Sequence, residues 1–151
     1  MPRLLIFAPC EKVILGQGDN SLSLISVLQE FQVHRPPGAP DVPSPIQVPL
    51  TWSALALWQR TDEDQGRTYR QRVSLSDPQN QTLLVGEISF VLEKDTHRTV
   101  SQIFGFPFSV VGPYVLKLSL LNQTQWEEVA SFPISVTLVG MAVPMAAQRP
   151  Q

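Results

Sequence analysis

Three successive acidic residues, Asp62-Glu63-Asp64, stand just before Gly66. Carboxylate oxygens are the ligands that Ca²⁺ and Mg²⁺ prefer, so a cation-binding loop is one interpretation of this stretch. Calcium loops, however, place their ligands at alternating positions and add a bidentate carboxylate downstream, a pattern that is missing here. The stretch is therefore a weak match to a calcium loop, and a solvated acidic loop is the alternative interpretation.

A second group of ligand-type side chains, Glu93, Asp95 and His97, occupies alternate positions. In an unbroken strand the three side chains would share one face and could bind a divalent metal. The intervening Lys94-Asp95-Thr96 has the composition of a turn, which would break the alternation and leave the histidine in solvent. A metal-dependent enzyme that uses Glu93, Asp95 and His97 is thus an alternative and not the main prediction.

Other catalytic chemistry has few candidate residues. Nucleophilic catalysis needs a serine or cysteine beside a base, and the sequence offers only His34 and His97 as histidine bases for Cys10. It contains neither a glycine-rich phosphate loop nor a dinucleotide-binding fingerprint. We therefore predict that the protein is not an enzyme and uses no cofactor.

Charge and composition argue against several kinds of partner. Lys and Arg number 11 against 13 Asp and Glu, so the chain lacks the basic excess that binding to nucleic acid requires. No run of about 18 apolar residues is present, and no membrane association is predicted. The single cysteine favours a cytoplasmic protein, and MPRLLIFAPC is predicted to be a first core strand with a buried thiol.

Alternation of apolar and polar residues predicts most of the strands, because successive side chains of a strand point to opposite faces. Trp52 to Trp58 is apolar on both faces, as a central strand would be. Leu22 to Val33 fits both a strand and a helix, and its β-rich surroundings favour the strand. The alternation predicts these inward-facing residues: Tyr69, Val73, Leu75, Ile88, Phe90, Leu92, Val100, Phe104, Phe106, Tyr114, Leu116, Leu118, Leu120, Phe132, Ile134, Val136 and Leu138.

About eight such segments, joined by short turns and with at most one short helix, predict an all-β fold of two antiparallel sheets packed face to face. We predict one domain over residues 1–139. The proline-rich stretch 35–49 is predicted to be an irregular excursion over the surface, and residues 140–151 a loose tail.

The chain resembles a bacterial family of small, functionally uncharacterised proteins over most of residues 3–138. The likeness lies in LLIFAPCEKVI, in ALALWQRTDEDQGRTYRQRVSLSDP, and in FPFSVVGPYVLKLSLL with WEEVASFPISV. The closing stretch also resembles the last strands of immunoglobulin-like sandwiches, where a Gly-x-Tyr turn precedes an alternating strand. The resemblance implies an immunoglobulin-like β-sandwich, and it implies no activity and no site residue.

Topology predicts where the acidic residues gather. If consecutive strands run antiparallel, the loop after Trp58, the turn after Leu92 and the turn before Trp126 share one end of the sandwich. A solvated, partly self-neutralised rim is the favoured interpretation of this end, and a binding surface for a basic partner or a divalent cation is the alternative. The surface consists of Asp62, Glu63, Asp64, Glu93 and Asp95, with Glu127 and Glu128 nearby.

The predicted function is a non-catalytic binding or accessory module that contacts a protein partner through its loops or a sheet face. Besides the metal-dependent enzyme, a structural subunit of a larger assembly is an alternative, and it would follow from association through an exposed strand edge. The sequence predicts neither the identity of the partner nor a particular oligomeric state.

Overall fold

Nine β-strands and no α-helix form the part of the chain that the computed structural model describes, which is residues 1–19, 21–35 and 46–140. A single 3₁₀ turn, Asp62–Asp64, lies among them. The all-β prediction is confirmed, with nine strands where about eight were expected. The strands are β1 (Arg3–Leu15), β2 (Leu22–Val27), β3 (Glu30–Arg35), β4 (Ile46–Gln59), β5 (Thr68–Ser76), β6 (Thr82–Val91), β7 (Thr96–Phe108), β8 (Gly112–Asn122) and β9 (Gln125–Gly140).

The strands form two sheets with the core between them. One sheet has four strands in the order β2-β1-β4-β7, and the other has five in the order β3-β9-β8-β5-β6. Neighbouring strands are antiparallel except for β3 and β9, which run parallel. The two-sheet prediction is confirmed, but the prediction of wholly antiparallel sheets is wrong at this pair. The reason is that β3 arrives from the other sheet and not through a hairpin, so its direction is not reversed against β9.

The stretch Leu22 to Val33 forms two strands, β2 and the first part of β3, so the strand interpretation is confirmed over the helix. Between these strands the chain crosses from one sheet to the other. Leu28 donates its N–H to the carbonyl of Pro9, and the carbonyl of Gln29 accepts the N–H of Ser135, both at 2.9 Å. Because Pro9 and Ser135 belong to different sheets, the crossing ties the two sheets together on this side.

The core follows the predicted alternation in β8 and the predicted burial of both faces in β4. β4 lies between β1 and β7, and Trp52 to Trp58 is buried apart from a partly exposed Leu57, as the prediction of a central strand requires. The thiol of Cys10 is also buried in β1, and burial raises its pKa. The inward face of β8 is buried along its length: Tyr114, Leu116, Leu118 and Leu120.

The middle of β7 faces the opposite way from the prediction. Val100 and Phe104, predicted to point inward, are 42% and 75% exposed, whereas Ile103 is buried. Phe106 is buried as predicted, three residues after Ile103. The alternation resets at Gly105, whose φ is +87° and which lies opposite an irregular stretch of β4. A bulge of this kind changes which residues face the core, and counting in steps of two misses it.

Gln71 is a buried polar residue on the inward face of β5. Its side-chain oxygen accepts a hydrogen bond from the indole N–H of Trp58 at 2.9 Å and another from the hydroxyl of Thr99 at 3.1 Å. A buried amide oxygen is tolerated when it is paired. The pairing links β5 with β4 and β7 across the sandwich, and it explains why a glutamine can occupy a core position.

Two predicted segments fall partly outside the described residues. Of the proline-rich stretch 35–49, Arg35 ends β3 and residues 46–49 begin β4, so these positions are strand and not irregular; residues 36–45 lie outside the described residues. Gly140 ends β9, and the rest of the predicted tail also lies outside them. No helix within the described ranges is long and apolar enough to cross a membrane.

The hydroxyl of Tyr114 closes the corner that leads into β8. It donates to the carbonyl of Val110 at 2.7 Å and accepts the N–H groups of Ser109 and Val110 at 2.9 and 3.2 Å. The hydroxyl of Ser109 donates to the carboxylate of Asp77 at 2.7 Å, which connects the corner to the β5–β6 turn. These hydrogen bonds fix the point at which β8 enters the sheet.

We expect Tyr114→Phe to lower the free energy of unfolding by about 1–3 kcal/mol, because the change leaves backbone groups of the corner without a partner. Tyr114→Ala should cost roughly 3–5 kcal/mol, since it also removes a fully buried ring. Lys117→Ala, on the outer face of the same strand, should change stability by less than about 0.5 kcal/mol. Urea unfolding measures all three, and equal midpoints for Tyr114→Phe and Lys117→Ala would contradict the role of the corner.

Candidate functional site

The loop over residues 60–67 and the turn over residues 92–95 lie together, in the arrangement that the predicted topology requires; we call them the acidic end. The backbone N–H of Arg60 donates to the carbonyl of Asp95 at 2.8 Å. The Arg60 guanidinium donates to the carbonyl of Glu93 at 2.7 Å and to the Asp95 carboxylate at 3.0 Å. One arginine therefore joins the two connections and neutralises part of their negative charge.

Asp64 is buried and stabilises the loop itself. Its carboxylate accepts the backbone N–H of Thr61 at 2.9 Å and the hydroxyl groups of Thr61 and Tyr69. Burial alone would raise the pKa of Asp64, but the hydrogen bonds from Thr61 and Tyr69 outweigh it and lower the pKa to about 2. Burial and the contact with Asp64 raise the pKa of Tyr69 to about 12. Asp64, one of the predicted binding residues, is thus not accessible to a partner.

The remaining predicted site residues stay exposed at this end of the sandwich: Asp62, Glu63, Glu93 and Asp95. Glu127 and Glu128 follow the β8–β9 turn, where the carboxylate of Glu127 accepts a hydrogen bond from Asn122 at 2.9 Å. This hydrogen bond joins two residues of the same β8–β9 hairpin. The acidic end is accordingly a set of solvated carboxylates on two joined connections.

Glu93, Asp95 and His97 do not converge on one point. The turn ends just before β7, so the alternation that would align them is broken there. Asp95 is bound to Arg60, whereas the ring of His97 stacks on Phe90 with 5.2 Å between ring centroids. In the described part of the chain, no three or more His, Cys, Asp or Glu side chains form a group that could hold a metal ion.

A cavity of about 580 Å³ lies beside this turn, lined by Leu22, Leu57 and residues 94–98. Lys94 is exposed and Arg98 is partly exposed, so solvent screens both positive charges. Burial and the neighbouring Arg98 lower the pKa of His97. The lining carries the positive charges of Lys94 and Arg98 together with the Asp95 carboxylate, and none of the described lining residues is a buried polar group that would select a ligand.

A second depression, which the sequence does not predict, lies between β6 and β7, the last strands of their sheets in the described part of the chain; we call it the edge groove. The two strands end their sheets on the same side of the sandwich, and the groove between them has a volume of about 500 Å³. It is lined by Val73, residues 84–88 and residues 100–104. Large apolar side chains are exposed on these two strands: Val85, Ile88, Val91, Val100 and Phe104.

The edge groove is open because the inward position in the middle of β6 is a glycine. Gly86 pairs with the buried Val73, and the neighbouring inward positions on β6 are Leu84 and Ile88. A Cβ added to Gly86 would meet no atom within 4 Å. Gly86 is not among the residues with positive φ, so its backbone would accept a side chain. The missing side chain leaves an unfilled space between the two sheets.

Glu87 is the only charged residue among those described as lining the edge groove, and it is paired on the outer face of the sheet. Its carboxylate accepts hydrogen bonds from Arg70 at 2.8 Å and from Arg72 at 2.7 and 3.0 Å. The hydrogen bond with Arg72 is the main reason that the pKa of Glu87 is lowered. Arg72 in turn lies 4.0 Å from the centre of the Trp126 ring. The groove is therefore apolar, and its one charge is neutralised locally.

The sequence contains two signals for the edge groove. Gly86 stands at an inward position of an otherwise apolar alternation, and Gly105 permits the bulge that turns Phe104 outward.

No protein-family model and no curated protein matches the chain.

The acidic residues separate into structural and surface groups, and substitution should distinguish them. Asp64→Asn should lower the free energy of unfolding by about 1–3 kcal/mol, because it weakens three buried hydrogen bonds. The double variant Asp62→Asn with Glu63→Gln should stay within about 0.5 kcal/mol of the wild type. Thermal unfolding measures both, and equal losses would contradict the assignment of Asp64 as the structural acid.

The low pKa of Asp64 also predicts a pH dependence. Its folded-state pKa of about 2 lies below the ordinary value of 3.8, so its contribution to stability is complete above that value. The contribution is lost as the pH falls through the interval between the two. Wild type should therefore lose more stability than Asp64→Asn when the pH falls from 5 to 2, and parallel acid-unfolding curves would contradict this prediction.

Proposed function

We propose that the protein is a non-catalytic binding module that takes an extended, apolar segment of a protein partner into the edge groove. The observation that carries the proposal is the mostly apolar lining of the groove between β6 and β7, which includes the exposed Ile88, Val100 and Phe104. Single exposed apolar residues are ordinary on protein surfaces, but a groove with an apolar lining is typical of a binding site.

The unpaired edges supply the polar part of such an interaction. The free side of β6 or β7 presents backbone N–H and C=O groups that a guest strand could pair with, as in other complexes formed by addition of a strand. Every second side chain of that guest would point into the space above Gly86, where the sandwich is unfilled. Backbone hydrogen bonds would then provide affinity, and the side chains in the groove would provide specificity.

The lining of the groove also indicates the chemistry of the partner segment. Val73, Ile103 and Phe104 offer apolar contacts, and Ser101 and Gln102 are the uncharged polar residues among the lining. Glu87 is already paired with two arginines. A segment of alternating apolar residues without strong charge is the best match, and the exposed carboxylates of the acidic end lie outside the groove.

We also propose that the sandwich is of the immunoglobulin-like class. Two features support this proposal: the chain crosses between the two sheets several times, and Tyr114 at the start of β8 binds the backbone of Val110, four residues upstream. A tyrosine in this position, bonded back to the corner before its strand, is a hallmark of immunoglobulin-like domains. The class hosts binding modules on its loops and edges, so it is compatible with the proposed function without requiring it.

Filling the groove tests the proposed function. Gly86→Val adds a β-branched side chain at a strand position with open space, and it should raise stability by roughly 0.5–1 kcal/mol. Peptides selected from a random library for binding to the wild-type protein should be enriched in alternating apolar residues. Their affinity for Gly86→Val should be at least about tenfold weaker, because the added side chain occupies their site.

Ser131→Val is the matched control, because it adds the same side chain at an exposed strand position outside the groove lining. It should bind the selected peptides as tightly as wild type does. Peptides that bind wild type and Gly86→Val equally well, measured by fluorescence anisotropy, would show that the edge groove is not the binding site.

A further inference from the structure

We infer that the guest segment in the edge groove pairs with β7, and that Arg98 selects an acidic side chain on the outward half of that segment. The inference rests on the proposed function, and it names the accepting edge and the sequence pattern of the partner. A strand paired with β7 points every second side chain into the groove and the others outward, beside the outer face of the four-stranded sheet. The groove and that outer face therefore contact alternate residues of one segment.

The strand register defines the residues of β7 that the guest would meet on its outward side. Ile103 pairs with Trp52, and both belong to the core, so this pair faces inward. The neighbouring position and every second residue before it face outward and form what we call the outward row: Arg98, Val100, Gln102 and Phe104. Val100 and Phe104 are exposed. The outward row thus contains two exposed apolar residues and one positive charge, and it contains no acidic residue.

The part of β7 that can accept a regular strand is short. Gly105, with a φ of +87°, lies where the pairing of β7 with β4 becomes irregular. A bulge bends a strand and interrupts regular pairing with its neighbours. At the other end, β7 begins directly after the turn that Arg60 joins to the acidic loop. A guest in regular pairing would therefore lie beside Thr96 to Phe104, which includes the whole outward row.

Arg98 is the charged member of the outward row. Its partner across the sheet is Leu57, and within the described residues no carboxylate forms an ion pair with it. Asp95, the nearest acid in sequence, is bound to Arg60 instead. The charge of Arg98 is, after burial, the second reason that the pKa of His97 is lowered. A carboxylate opposite Arg98 would gain a cross-strand ion pair, whereas a lysine or arginine there would meet a like charge.

β6 is the weaker candidate for the accepting edge. Its outward charge, Glu87, is already bound to Arg70 and Arg72, so it has little charge left with which to select a guest residue. The outward apolar residue beside the groove on this strand is Val85, which offers a cross-strand neighbour less area than the ring of Phe104 does. Both charge and apolar area therefore favour β7.

The spacing of the outward row sets the sequence pattern of the guest. An acidic residue opposite Arg98 lies two positions from an apolar residue opposite Val100, and six positions from an apolar residue opposite Phe104. In an antiparallel guest the two apolar residues precede the acid, and in a parallel guest they follow it. The alternate residues between them point into the groove, where the lining favours uncharged apolar side chains. The pattern thus also reports the direction of the guest strand.

Peptides selected from a random library for binding to the wild type test which edge accepts the guest. By fluorescence anisotropy, Phe104→Ser should weaken their binding about three- to fivefold, because it removes an aromatic cross-strand contact. Val85→Ser is the matched change on β6 and should cause no measurable loss. Both side chains are exposed, so both variants should fold, which circular dichroism checks. The reverse order of effects would place the guest on β6 and overturn the inference.

A charge reversal tests the role of Arg98. Peptides with an acid at the predicted position should bind Arg98→Glu about tenfold more weakly than wild type. The same peptides with that acid replaced by lysine should bind Arg98→Glu more tightly than they bind wild type, an exchange that a purely structural role would not produce. Lys117→Glu is the matched control, because Lys117 is a partly exposed base on the outer face of the other sheet, and it should change neither affinity.

Two further results would overturn the inference: selected peptides that lack an acid at the predicted spacing, or equal effects of Arg98→Glu and Lys117→Glu. Gly86→Val separates this failure from that of the proposed function. If Gly86→Val still weakens the peptides, the groove remains the binding site, and only the assignment to β7 and Arg98 fails. Peptides that ignore Gly86→Val, or a library that yields no binder, refute the proposed function and the inference together.

Discussion

Two open sheets have four strand edges, and the backbone groups along each edge must be paired, covered or left in water. The arrangement of this molecule follows from how it treats those edges. On one side, the crossing from β2 to β3 runs between the sheets and hydrogen-bonds to both. On the other side, β6 and β7 end their sheets, no such connection joins them among residues 1–19, 21–35 and 46–140, and a glycine faces the space between them. In these ranges the sandwich is thus tied together along one side and open along the other.

The acidic end shows how similar residues can have different roles in one short loop. Asp62 and Glu63 are exposed, whereas Asp64, adjacent in sequence, is buried and organises the loop through Thr61 and Tyr69. Substitution of all three residues together would therefore mix loss of stability with loss of surface charge. Arg60 has a related structural role, since it joins the loop to the turn that carries Glu93 and Asp95.

Much of the fold could be predicted from the sequence, because the period-two pattern of β8 and the apolar run of β4 are long and uninterrupted. The parallel pairing of β3 with β9 could not, since it depends on a crossing between sheets that leaves no local pattern. The inward and outward faces of β7 were predicted wrongly, because Gly105, with its positive φ, resets the alternation and turns Phe104 outward. At the candidate sites, the topology brought the acidic loop and turn together as expected, but a run of three acids does not reveal which one is buried. The edge groove was not predicted, because its central feature is the absent side chain of Gly86, which adds nothing to a pattern of apolar residues.

Under the proposed function, the position of Gly86 places stability and binding in opposition. Stabilising substitutions are easy to find in most proteins, and stabilising substitutions near functional surfaces tend to reduce activity. A glycine codon becomes a valine codon through a single base change, and here that change would add a favourable strand residue and close the groove. Under selection for stability alone, valine would be favoured at this position. In a population that depends on the open groove, the glycine would have to be maintained against a mutation that improves folding, which makes residue 86 a direct genetic reporter of whether binding matters to the organism.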